Sequence, residues 1–416
     1  MKILTIAPQP FFTPRGTPLS VYYRTLVTAE MGIDVDLLTY GEGKEVDIPG
    51  VRIIRIPHFQ CLGSVKIGPS FLKIFLDFLI LFWTVRLLFK NKYKVVHAHE
   101  EAIFICYFLK PFFHFKLIYD MHSSLPEQLT NFNFTQSKLI IKLFSIMENA
   151  CLHTSDAIIT ICPSLYNYAK QNVENKKLVV LIENSICDKI KIKHGNNSRN
   201  SIHNNSKNKP FLGKRVVVYA GTLETYQGID ILIRAFHAAL KLQPELFLLI
   251  IGGTSEQVKF YSDVVNRLGI SEYCTFTGRI SPNEAKHYIS QANVQISSRI
   301  SGQNTPLKIY EQLSNGIPIV ATNIYSHTQV LNHDVAFLVQ PEPASMAEGI
   351  LAALEPNGEG NIKAMRAKQV YEQRYSRTIY QQKMQQIMEK IMGLDLKTEH
   401  SMNNSGLNDY HTNIKS

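Results

Sequence analysis

A single tryptophan and six scattered cysteines stand among 416 residues. Cys61, Cys106, Cys151, Cys162, Cys187 and Cys274 form no C-x-x-C pair, so neither a disulfide framework nor a zinc knuckle is expected. No G-x-G-x-x-G occurs, which argues against a nicotinamide or flavin site, and no G-x-x-x-x-G-K-[ST], which excludes a P-loop. Short internal repeats are missing as well. The opening apolar run, Met1 to Ala7, is too short for a signal-peptide core and reads as a first buried strand. A reduced, cytoplasmic protein is the expectation. No uninterrupted apolar run reaches the roughly 20 residues of a spanning helix. The nearest, FLKIFLDFLILFWTVRLLF over 71–89, is broken by Lys73, Asp77 and Arg86. It reads either as a helix packed on a sheet or as an interfacial amphipathic helix. The second reading puts Trp83, Arg86, Lys90, Lys92 and Lys94 near lipid headgroups.

What is present is ordinary in bulk. Apolar residues make up 45% and charged residues 19%, as in soluble globular proteins, and the length suggests two or three domains. The net charge of +10 is unusual and raises nucleic acid or an anionic membrane as partners. Its distribution decides between them. Residues 186–215 hold eight basic side chains and one acidic one, in a stretch rich in Asn, Ser, Lys and Gly that cannot build a core. Most of the excess is therefore a linker property, and no nucleic-acid partner is expected. A contact with the inner leaflet of a membrane survives in reduced form.

Short apolar, β-branched runs alternate with helical patterns on both sides of that linker. Such strands are buried on both faces, so the fold class is α/β, with two Rossmann-like doubly wound domains facing a cleft. The expected boundaries are a first domain over 1–185, a basic linker over 186–214, a second domain over 215–360, a crossover helix over 361–393 and a disordered tail over 394–416. Ligands in such sheets bind beyond the carboxyl ends of the strands, which directs attention to the loops there. The first loop, Pro8 to Pro18, carries Gly16, which admits a ligand close to the backbone. It also carries Thr17-Pro18, which suits a capped helix start. His97-Ala98-His99 and Asp120-Met121-His122 end two further strands. His-x-His alone is weak evidence for metal, and His122 is the better candidate for holding a hydroxyl of a polar ligand.

In the second domain, Gly221-Thr222 through Gln227-Gly228 joins a strand to a helix and can offer N–H groups to phosphate. Gly252-Gly253 and Gly278-Arg279-Ile280 end the next two strands. The densest segment is Ser298-Arg299-Ile300-Ser301-Gly302-Gln303-Asn304-Thr305-Pro306-Leu307-Lys308-Ile309-Tyr310-Glu311. Pro306 is expected to begin a helix. Lys308 then lies in its first turn, against the helix dipole, a conflict that fits a phosphate-binding lysine better than a structural one.

Together these loops resemble those of the retaining GT-B glycosyltransferases of family 4. The most specific match is PLKIYEQLSNGIPIVAT over 306–322, supported by VVHAHE (95–100), His122, the Gly221 loop and the Gly278 strand end. The resemblance implies a nucleotide diphosphate-sugar donor held mainly by the second domain and a glycan or lipid-linked acceptor held by the first. It also implies a last helix that crosses back to the first domain. No cofactor is expected, and no metal is required if Lys308 and the helix dipoles hold the phosphates. Carried over by position, Glu311 binds the donor ribose, His122 lies near the donor sugar, Gly16 lies beside the phosphate, and Arg279 and Ile280 lie at the base, with Thr17 a further donor-site candidate. Lys308 joins His122 and Glu311 as a catalytic candidate. Gly221, Thr222, Gln227, Gly253, Arg299, Gln303, Asn304, Thr305, Pro306 and Leu307 complete the donor site. Three departures stand out. Gln303 replaces the first glutamate of the usual E-x7-E pair, Thr222 and Gln227 replace an Arg/Lys phosphate clamp, and Asn184-Ser185 only loosely fits the hinge. Charge-assisted bonds to phosphate are about twice as strong as neutral ones. The departures therefore allow either a divergent enzyme that uses Gln303, Asn304 and Thr305 for the donor sugar and Lys308, with Arg299, for the phosphates, or a degenerate GT-B protein that binds a nucleotide or a partner without transferring sugar.

Overall fold

The computed structural model describes residues 1–13, 16–58, 65, 70–124, 126, 137–185 and 213–393. The expected linker over 186–214, all but its last two residues, and the expected tail over 394–416 lie outside them. The chain forms two compact units. One comprises Met1–Asn184 together with the chain from Tyr380 onward, and the other ends at Ile379.

The first unit runs β1 (Lys2–Ala7), α1 (Thr17–Glu30), β2 (Asp34–Thr39), β3 (Val51–Arg55), α2 (Phe71–Lys90), β4 (Val95–His99), α3 (Ala102–Phe113), β5 (Lys116–Met121), α4 (Lys138–Thr154), β6 (Ala157–Thr160), α5 (Pro163–Asn172) and β7 (Leu178–Leu181). Its seven strands are parallel, in the order β3-β2-β1-β4-β5-β6-β7. β4 and β6 are buried along their whole length, as strands covered on both faces must be. One face carries α2, α3 and α4, whose Leu76, Ile80, Ile103 and Leu152 pack with Leu4, Ile6, Leu117 and Tyr119.

The second unit runs β8 (Arg215–Ala220), α6 (Ile229–Leu240), β9 (Leu246–Ile251), α7 (Ser255–Arg267), β10 (Cys274–Phe276), α8 (Pro282–Ile289), β11 (Val294–Ser297), α9 (Leu307–Asn315), β12 (Ile319–Thr322), α10 (Tyr325–Thr328), β13 (Phe337–Val339), α11 (Pro343–Ala353) and α12 (Gly360–Arg374). Its six parallel strands lie in the order β10-β9-β8-β11-β12-β13. Capping boxes start α7 and α8, with Thr254 paired to Gln257 and Ser281 to Glu284. The strand order of each sheet reverses once, between β1 and β4 and between β8 and β11. A doubly wound sheet binds its ligand at that reversal.

The expected single helix over 361–393 is two helices. α12 ends where the Tyr375 ring turns in against Tyr310 of α9, ring centres 5.0 Å apart, and the chain restarts as α13 (Arg377–Met392). Tyr380, Met384, Ile387 and Met388 of α13 are buried. The membrane reading of α2 also needs revision at one residue. Trp83 is half-buried and packs against the core, edge to face with Phe82 at 5.4 Å, so the exposed face of this helix is built from phenylalanines instead.

Candidate functional site

In the second unit, the loops after β8 and β11 flank the reversal of the sheet and are bonded to each other. Ser298 Oγ donates to the Gln227 carbonyl at 2.7 Å, and the Ile300 N–H donates to the Tyr226 carbonyl at 2.9 Å. Gly228 makes this approach possible. Its φ is +65°, and a Cβ there would run into the Ser298 carbonyl. His327 of α10 pins the same corner from below, bonded to Ser297 Oγ at 2.9 Å and to the Thr322 carbonyl at 2.8 Å. Burial pushes its imidazole down to about 4, so it works as a neutral bridge.

Lys308 enters this corner from the first turn of α9. Its Nζ donates to Gln227 Oε1 at 3.1 Å and sits 4.2 Å from the centre of the Tyr219 ring. Among the described residues no carboxylate pairs with it. Withdrawal from water, with Arg299 adding repulsion, pushes it down to about 7. Thr305 is buried three residues before, and its hydroxyl has no partner among the described residues. A cation without a counter-ion in the first turn of a helix, and a buried unbonded hydroxyl just before that helix, are features that an anionic ligand completes. Glu311, one turn after Lys308, borders a pocket with Lys286, Ser290, Ser314 and Asn315. Burial raises its carboxyl, with Lys286 partly offsetting.

The first unit carries a second constellation at the ends of β4 and β5. Asp120 is fully buried and accepts from Arg24 Nε at 2.8 Å. His97 Nε2 lies 3.1 Å from the same oxygen, His122 Nε2 lies 3.2 Å from the other, and His99 Nδ1 lies 3.2 Å from His122 Nε2. Burial works to raise the Asp120 carboxyl, but Arg24, with the histidines, outweighs it and holds it well below the usual range. Burial drives His99 well below its usual value, so that ring is neutral. His97, His99 and Asp120 place ligand atoms within 4.8 Å of one another, close enough for a metal ion. The buried Arg24 guanidinium already supplies the positive charge that this carboxylate needs. Arg24 also donates from Nη2 to the Ile182 carbonyl at 2.7 Å and lies under the Tyr380 ring at 4.9 Å.

Comparison with known proteins matches each unit to a family model. Residues 17–186 match the family model "Glycosyltransferase Family 4", and residues 201–373 match "Glycosyl transferases group 1". The chain belongs to the family 4 and group 1 glycosyltransferases. An uncharacterised glycosyltransferase of Methanocaldococcus jannaschii, MJ1607, is 23% identical over 83% of this chain and 86% of its own. The fold matches that of sucrose-phosphate synthase from Thermosynechococcus elongatus with a TM-score of 0.68, at 16% identity over 94% of this chain and 99% of the other. It also matches Anabaena HepE in complex with UDP with a TM-score of 0.67, at 16% identity over 95% and 100%. The two parallel sheets are thus those of the GT-B architecture.

The structure places the sequence-selected residues of this glycosyltransferase unevenly. Lys308, Thr305, Gln227, Gly228 and Arg299 come together around the β8 and β11 loops. Gln227 is a partner of Lys308 rather than a bare substitute for a clamp cation, and Tyr219 Oη reaches the same Oε1 at 3.3 Å. Arg299 is largely committed within its own loop. It donates to the carbonyls of Ser301 at 2.6 Å and Asn304 at 3.3 Å and lies 5.3 Å from the Tyr226 ring centre. Thr222 is exposed, and its carbonyl accepts from Tyr219. Gln303 is exposed, Asn304 and Leu307 are partly buried, and Pro306 is the residue before α9 rather than its first. Gly221 lies at the end of β8, its N–H bonded to the Ile251 carbonyl. Gly253 faces Leu223, where a Cβ would collide, so its place is explained by packing. Arg279 is exposed, whereas Ile280 packs against the Val216 and Phe247 cluster. Thr17 does not cap α1. Gly16 holds that position with φ +54°, Pro18 sits in the first turn, and Thr17 Oγ1 points to Glu100 at 3.4 Å. Sequence reasoning missed Arg24, Tyr219 and His327. A charged residue on the buried face of α1 was the one available signal, and it marked Arg24.

Proposed function

We propose that this glycosyltransferase moves a sugar from a nucleotide diphosphate-sugar to a glycan or lipid-linked acceptor in the cytoplasm, with retention of configuration. The observation that carries the reading is Lys308, a half-buried ammonium in the first turn of α9 with no carboxylate partner among the described residues, three residues after Thr305, whose hydroxyl is buried and unbonded. The donor diphosphate rests there, and Glu311 accepts the two ribose hydroxyls. The bond between the anomeric carbon and the phosphate oxygen breaks, and Lys308 with the α9 N-terminus stabilises the departing diphosphate. The acceptor oxygen bonds to the same carbon on the face the diphosphate leaves. Its proton passes to a phosphate oxygen, so no protein nucleophile is required. His122, fixed by Asp120, holds a sugar hydroxyl. Arg24 neutralises Asp120, and Lys308 neutralises the phosphates, so the scheme runs without metal or cofactor.

HepE is solved with UDP and with UDP-glucose, which makes UDP the first nucleotide to test. A diphosphate beside Lys308 raises its pKa from about 7, so UDP binding slightly above that pH takes up a proton. Calorimetry in buffers of different ionisation enthalpy reads this uptake directly, and Lys308→Ala removes it. At a hundredfold excess over Kd, a bound nucleotide adds about 2.7 kcal/mol to stability. If neither UDP nor GDP shifts the melting temperature, the reading fails.

A further inference from the structure

Eleven of the nineteen exposed large apolar side chains among the described residues lie on three helices of the first unit, α2, α3 and α4. These helices cover one face of one sheet and touch in sequence. Phe89 of α2 meets Phe113 at 5.0 Å, and Phe104 of α3 meets Phe144 at 5.8 Å, so the apolar surface is continuous. Its outer members are far from buried: Phe78 is 66% exposed, Phe82 60%, Phe112 77% and Leu139 79%. Soluble monomers rarely expose an apolar patch of this extent.

The charge around the patch is one-sided. Arg86, Lys90, Lys138 and Lys142 on these helices are exposed, as are Lys92 and Lys94 just after α2. No acidic side chain on the three helices is exposed. Asp77 accepts from Tyr40 at 2.6 Å, and Glu148 is buried and accepts from Ser124 and Tyr168. An apolar face with a basic margin complements a bilayer of anionic lipid, in which phenylalanines enter the acyl boundary and lysines meet headgroups. A protein partner would be expected to meet mixed charge at its rim. Among the described residues no helix is long and apolar enough to cross a membrane, so the contact is with a surface.

We propose that the α2–α3–α4 face is a docking surface for an anionic lipid bilayer. The proposal rests on the glycosyltransferase reading only in favouring a lipid-linked acceptor over a soluble one. The test is co-sedimentation of the full chain with phosphatidylcholine vesicles, with and without phosphatidylglycerol, at low and high salt. Binding is expected only with the anionic lipid and is weakened by salt. Replacing Lys138 and Lys142 by alanine is expected to weaken it about thirtyfold, at roughly 1 kcal/mol per charge. Phe78→Ser with Phe112→Ser is expected to weaken it at least about tenfold. Both double variants should keep the UDP-induced thermal shift, which separates loss of docking from loss of the donor site. Wild-type chain that ignores anionic vesicles overturns the proposal while leaving the donor reading intact. So does a wild-type dimer in solution that the Phe78 and Phe112 changes dissociate, because the face would then belong to a second copy.

Discussion

Lys308→Ala is expected to lower sugar transfer by about a hundred- to a thousandfold, the usual loss when one preorganised charge is removed from a developing anion. The same change should leave folding unharmed or improve it. In the free protein this ammonium is withdrawn from water, bonded to Gln227 and near the Tyr219 ring with Arg299 adding repulsion, and its pKa falls to about 7. The unfolded chain therefore binds more protons than the folded one between that value and the ordinary lysine value of 10.5. Stability of the wild type accordingly rises with pH through this window, and that rise is absent from the variant. Melting curves on both sides of pH 7, set beside turnover with saturating donor, separate a functional lysine from a structural one. A variant that keeps its rate, or loses rate only through loss of fold, contradicts the assignment. Glu311→Gln offers an internal contrast, since a ribose contact should move donor KM more than kcat.

Arg24→Leu is expected to be the most destabilising change in the first unit, costing about 3–5 kcal/mol, the penalty for stranding one member of a buried ion pair. The guanidinium and the Asp120 carboxylate are both fully buried and 2.8 Å apart. Because Asp120 is held well below its ordinary value, its contribution is present at neutral pH. That contribution is lost as pH falls through the depressed folded value, and the variant should lack this part of the acid limb. Urea unfolding measures the difference. The double change Arg24→Leu with Asp120→Leu should cost clearly less than the sum of the single changes, and strict additivity would deny that the two form a coupled pair. His122 depends on the same carboxylate, so Asp120→Asn should reduce transfer in protein that still binds UDP.

The doubly wound class was legible because β6, β9 and β12 are uninterrupted apolar or β-branched runs, the pattern of strands buried on both faces. The α9 signature was legible for a different reason. A lysine in the first turn opposes the helix dipole, and a residue placed against its local preference points to a ligand. Less legible were features set by side-chain direction. Thr17 has the composition of a cap, yet Pro18 in the first turn and the positive φ of Gly16 shift the helix start by one residue. Trp83 looked like an interfacial anchor from its neighbours, but on the helix it shares the side of Leu79 and Leu76 and so faces the core. The break between α12 and α13 depends on Tyr375 finding Tyr310, a partner 65 residues earlier that no local pattern reveals. Gln227 is the sharpest case. Its neutrality read as a lost clamp, whereas its Oε1 is what positions the remaining cation.

The first unit is discontinuous along the chain, and Arg24 is where the discontinuity closes. Its guanidinium holds Ile182, near the point where the chain departs, and lies under Tyr380, where the chain returns. Around it, Lys383 reaches Glu183 at 2.8 Å and Gln381 reaches Glu30 at 3.1 Å. On the ribosome, β1 to β7 emerge long before α13 does. The amino-terminal unit must therefore wait, with the Arg24 face open, until the whole carboxyl-terminal sheet has been synthesised. A message cut short before Tyr380 would encode every described strand of both sheets and still yield an unfinished first domain.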